Sequence, residues 1–112
     1  MKNVRYLIGV ASYTVACLVV SAARAQDLDQ PALGQVLARQ ICSECHAIEK
    51  RDARSPHSVA PRFEDIANSP GMSTAALTAA LQTSHRTMPN VILQPDELGN
   101  IVAFVMSLRR GI

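Results

Sequence analysis

Cys42-Ser43-Glu44-Cys45-His46 places two thiols three positions apart, with an imidazole directly after the second. This spacing, C-x-x-C-H, reads as a c-type haem attachment site. Each thiol can add to one vinyl group of the same porphyrin. His46 is then held under the iron and offers a ring nitrogen as proximal ligand. Two other chemistries would use part of the pattern. A redox-active dithiol needs only Cys42 and Cys45, leaves His46 without a role, and calls for a βαβ surround that the chain lacks. A zinc site needs a fourth ligand, with His57 or His85 as candidates, and there is no second cysteine pair. The haem reading uses all three residues.

An iron that only exchanges electrons wants two strong axial ligands, because a closed site changes little on redox and excludes small molecules. Met72, Met88, Met106, His57 and His85 are the candidates for the sixth position. Met106 falls on the last expected helix and Met72 at a helix start. Met88 sits 42 residues after His46, in a loop, followed by Pro89. A thioether favours ferrous iron and raises the potential. His85, three residues earlier, is the alternative distal ligand and would give a bis-histidine site of lower potential. Arg51, Arg54, Arg62 and Arg86 lie in loops from which a haem propionate could be reached; exposed loop arginines are more often simply solvated, and Arg62 alone is taken as a candidate contact.

The elements that must position these groups belong to a short chain. Its 112 residues, 48% hydrophobic with net charge +2, allow one domain and exclude a multidomain enzyme. The apolar residues are unevenly spread: 17 of them fall in the first 25 positions. Lys2 and Arg5 precede Tyr6 to Ala23, 18 residues without a charge, and Ala23-Arg24-Ala25 supplies small residues for a cleavage site. Residues 1–25 therefore read as a secretory signal peptide and residues 26–112 as the domain. An uncleaved membrane anchor is the alternative. Export implies an oxidising compartment, the periplasm. Cys17 reads as one more apolar leader residue. The leader also holds the basic excess, since residues 26–112 carry 8 Lys or Arg against 9 Asp or Glu. Neither a dense basic cluster nor an aromatic platform supports nucleic-acid binding.

Phe63 and Phe104 are the only aromatics in residues 26–112. A core that small needs a cofactor or a cross-link. Pro31 to Ile41 reads as an amphipathic helix on Leu33, Val36, Leu37 and Ile41. Ala47 to Ala60 reads as a polar loop. Pro61 opens a short helix through Ala67 with Phe63 and Ile66 inward, and Asn68-Ser69-Pro70-Gly71 is a turn. Ser73 caps a helix to about Gln82, with Leu77 and Leu81 on one side. Residues 83–93 read as a loop. The last helix has Pro95 first, Asp96 and Glu97 at its positive end, and Arg109 and Arg110 at its negative end. Its apolar stripe is Leu98, Ile101, Val102, Val105 and Leu108, widened by Phe104.

From Ala32 to Leu108 the chain resembles the class I, monohaem cytochromes c. Beyond the haem motif, the resemblance rests on Gly34 eight residues before Cys42, on Ala60-Pro61-Arg62-Phe63, on Met88-Pro89, and on Ile101-Val102-Ala103-Phe104-Val105-Met106-Ser107-Leu108. It implies an all-α fold of about four helices around one covalent haem c, with the N- and C-terminal helices crossing at Gly34. It also implies Met88 as the distal ligand. Two departures stand out. Ala38 occupies a place where the family often has an aromatic. No proline follows His46 closely, so the sequence does not identify the backbone partner of its ring.

The function expected is periplasmic electron transfer by Fe(III)/Fe(II) cycling, not enzyme turnover, because no acid–base pair or second metal is evident. Its partners would be redox proteins, docking transiently on a monomer, with no membrane insertion after cleavage. A dedicated electron-accepting subunit of a periplasmic dehydrogenase or reductase is the first alternative. An open-site haem sensor or peroxidase is the second.

Overall fold

The computed structural model describes residues 29–111; the expected leader lies outside them. Four helices follow in order: α1 (Pro31–Ile41), α2 (Phe63–Asn68), α3 (Thr74–Leu81) and α4 (Pro95–Ser107). No strand occurs among the described residues, so the all-α expectation holds.

α4 organises the domain, since α1, α2 and α3 all pack on it and α1 does so most extensively. Its start is doubly secured. Pro95 stands in the first turn, and Gln94 and Glu97 form a capping box in which the Gln94 N–H donates to the Glu97 carboxylate at 2.8 Å. Its stripe is buried as the periodicity predicts: Ile101, Val102, Phe104, Val105 and Leu108 are all in the core.

The crossing of α1 over α4 depends on small residues. A Cβ on Gly34 would fall 1.9 Å from the Asn100 carbonyl oxygen and 2.8 Å from the Phe104 Cβ. Ala38, one turn on, is fully buried. This corrects part of the face expected for α1, of which Leu37 does pack on the core. Leu33 and Val36 are each half exposed and Ile41 is also exposed, while Gly34 and Ala38 take the inward side. Backbones this close leave no room for branched side chains between them, so Leu33 and Val36 turn outward.

α2 begins at Phe63, two residues later than Pro61. Arg62 is extended, and the Phe63 N–H donates to the Ala47 carbonyl at 2.9 Å. After α2, Pro70-Gly71 makes the turn. Gly71 has φ +76°, and the Met72 N–H reaches the Ser69 carbonyl at 3.0 Å, as a type II turn requires. Ser73 caps α3 as expected, accepting from the Ala76 N–H at 3.1 Å.

The side chains of Arg109 and Arg110 turn from the end of their own helix to α2 and the turn after it. α4 stops at Ser107. The Arg109 guanidinium donates to the Ala67 carbonyl at 3.2 Å and to the Met72 carbonyl. Arg110 pairs with Glu64 at 3.4 Å, and its N–H donates to the Asn68 side chain at 2.9 Å. Arg109 thus gives the Ala67 carbonyl, one of the last in α2, a partner, while Arg110 binds side chains of the same helix.

Candidate functional site

The C-x-x-C-H segment is wound tightly at the end of α1. The Cys42 N–H closes the helix on the Ala38 carbonyl at 2.8 Å. The Cys45 and His46 N–H groups both return to the Cys42 carbonyl, at 3.1 and 2.9 Å. The Ser43 hydroxyl donates to the Arg39 carbonyl at 2.6 Å. Both thiols are free and half-buried. Burial pushes the Cys42 thiol up to about 11, so it is neutral at ordinary pH.

His46 finds the partner that the sequence did not reveal. Its Nδ1 lies 2.6 Å from the Pro61 carbonyl oxygen. A carbonyl only accepts, so Nδ1 carries the proton and Nε2 keeps its lone pair. That is the arrangement a metal-ligating imidazole uses. Pro61 had signalled a helix start; its role is to turn its carbonyl onto the imidazole. Phe63 supports the same ring, with centroids 5.4 Å apart, and itself meets Phe104 at 6.3 Å. A line of three rings therefore runs from His46 to α4.

The polar loop after His46 is tied down at several points. Ser55 Oγ accepts from the Ala47 N–H at 3.0 Å, and the His57 N–H donates to the Cys45 carbonyl at 3.1 Å. Ala47 and Ile48, within the segment expected to be polar and irregular, are buried. Glu49 draws in Arg39 and Arg51, the latter at 2.8 Å. Arg62 donates to Asp65 at 2.9 Å, to Glu64 at 3.0 Å and to the Asp52 carbonyl at 3.0 Å. A propionate contact from Arg62 would have to compete with these two carboxylates.

The distal candidates lie on the other loop. His85 and Met88 form a single antiparallel bridge across Arg86-Thr87. Both line a cavity of about 300 Å³ whose apolar walls include Leu81, Leu93 and Leu98. Met72 and Met106 instead pack against the core. His57 is exposed and is not part of the cavity lining. Cys42, Cys45 and His46 do not line this cavity either.

These residues fit a c-type haem. Two free thiols and a lone-pair nitrogen stand on one turn, and the Met88 thioether lines a cavity walled by Leu81, Leu93 and Leu98 as well as by polar residues such as Thr83 and Asn90. A bare metal ion fits less well: among the described residues, no three of His, Cys, Asp and Glu converge on one point.

No family model matches the chain. No solved structure matches it either. It is similar to cytochrome c-552 of Bradyrhizobium diazoefficiens, 28% identical over 109 residues that cover 97% of this chain and 95% of that protein. Taken with the thiol pair and the fixed imidazole, this similarity supports a cytochrome c family for the chain.

Proposed function

We propose that this chain is an exported electron-transfer protein carrying one covalent haem c, with His46 and Met88 as axial ligands. When bound, the haem iron would supply one-electron exchange between its ferric and ferrous states. Cys42 and Cys45 would hold the porphyrin as thioethers. The observation that carries the reading is the 2.6 Å contact from His46 Nδ1 to the Pro61 carbonyl, which leaves Nε2 as a ligand of fixed orientation. Met88 is favoured as the distal ligand because it lines the cavity while Met72 and Met106 are taken up by the core.

The periplasm is the compartment proposed, with residues 1–25 removed on export. Among the described residues no helix is long and apolar enough to cross a membrane. Redox proteins would dock transiently on the monomer through a small contact, as such encounters do. The test is an optical spectrum of the protein matured in a host that attaches c-type haem. One covalent haem and a thioether-to-ferric-iron band at the red edge of the visible spectrum are expected. Met88→Ala removes that band and lowers the potential. A spectrum unchanged by Met88→Ala would sink the methionine assignment.

A further inference from the structure

The bridge between His85 and Met88 relates the two distal candidates in a way their spacing alone does not. Residues directly opposite each other in an antiparallel pair project their side chains to the same face, with Cβ atoms ~5 Å apart. The turn that presents the Met88 thioether therefore presents the His85 imidazole beside it. Both residues line the one cavity of about 300 Å³. Met88 is half-buried and His85 exposed, which ranks them: the thioether is seated and the imidazole waits at the rim. His57 is on the other loop, its N–H tied to the Cys45 carbonyl, and does not share the turn that carries Met88.

We propose that residues 85–88 carry a reserve ligand: when the Met88 thioether is withdrawn, His85 takes the vacated position on the iron. This rests on the reading of the chain as a haem protein with Met88 as distal ligand. The site then has two closed states. The methionine-bound state has the higher potential, because a thioether favours ferrous iron and a second imidazole does not. Loss of Met88 would lower the potential without opening the iron to small ligands.

The experiment compares four holoproteins: the parent, Met88→Leu, His85→Ala and the double variant. Covalent haem is confirmed by mass and folding by far-UV circular dichroism. The proposal expects the parent and His85→Ala to share the thioether band. It expects Met88→Leu, which keeps the side-chain volume, to lose the band yet stay low-spin, with a bis-imidazole electron paramagnetic resonance signature. Ferrous Met88→Leu should bind carbon monoxide at least tenfold more slowly than the double variant, which should be high-spin. A high-spin Met88→Leu protein that binds carbon monoxide as fast as the double variant overturns the proposal and leaves Met88 as ligand. A parent without the thioether band overturns the methionine reading itself, and the reserve role with it.

Discussion

His46 Nδ1 donates to the Pro61 carbonyl oxygen across 2.6 Å and 15 positions of chain. Two features follow from this contact. The imidazole keeps its Nε2 lone pair, with the ring held between the carbonyl and Phe63. The carbonyl of Pro61 is occupied outside any helix, and α2 begins only at Phe63. The site and the fold thus share one hydrogen bond.

Gly34→Ala tests the helix crossing. Glycine to alanine within an exposed helix normally stabilises by about 1 kcal/mol. Here the new Cβ would sit 1.9 Å from a backbone oxygen that only a shift of α1 can relieve. A loss of ~1–3 kcal/mol is expected, as for overpacking in a tight core. Gly111→Ala, with nothing within 4 Å, should be near neutral. Urea unfolding of the two holoproteins measures the contrast, and equal midpoints would refute the close crossing.

Arg109→Ala should destabilise by ~1–3 kcal/mol, because it strips charged donors from the Ala67 and Met72 carbonyls. Arg109→Lys should recover only part of the loss, since one ammonium does not reproduce the planar fork. Full recovery by lysine would show that charge alone matters there.

Cys42→Ala/Cys45→Ala should abolish covalent haem and leave a poorly folded chain. The core among the described residues has Phe63 and Phe104 as its only aromatics, and domains this small are marginal without a staple. Mass spectrometry and a thermal melt decide the matter. A cooperative melt of the haem-free variant would contradict the expectation.

Acid should weaken the Arg62 cluster. The hydrogen bond from Arg62 holds the Asp65 carboxyl below its usual range, with the charges of Arg62 and Arg110 adding to it. A carboxyl whose pKa is depressed on folding contributes stability that is fully present above its unfolded value. That contribution fades as pH falls through the folded value. Asp65→Asn should therefore be less stable than the parent at neutral pH, and the gap should narrow as pH drops below about 4, the ordinary carboxylate pKa. Urea midpoints from pH 7 down to pH 3 measure the gap. A gap independent of pH would remove Asp65 from the linkage.

α4 was legible from Pro95, the acidic first turn and the apolar stripe, because all of these are local and periodic. α3 was legible from Ser73 and Leu77 for the same reason. α1 was legible as a helix and only partly as a surface. Leu37 packs on the core as its apolar spacing suggested, and Gly34 lies at the crossing that the resemblance implied, but Leu33, Val36 and Ile41 are exposed and Ala38 is buried. Periodicity records which residues share a side of the helix; the partner's distance decides which side is buried. Arg109 and Arg110 were misassigned for a related reason, since proximity in sequence favoured their own helix end and the folded chain brings them to α2.

The sequence by itself determined the chemistry available: two thiols, an adjacent imidazole and a loop methionine with a histidine three residues before it. Their types and spacing are local properties, so they could be read without coordinates. Only the tertiary structure decided how those groups are held. It chose the tautomer of His46 by bringing Pro61 to it, set Met88 apart from the two core methionines, and placed His85 beside Met88 on one turn. Each of these depends on a contact between chain segments or on the path of a loop. Spacing along the chain carries no information about either.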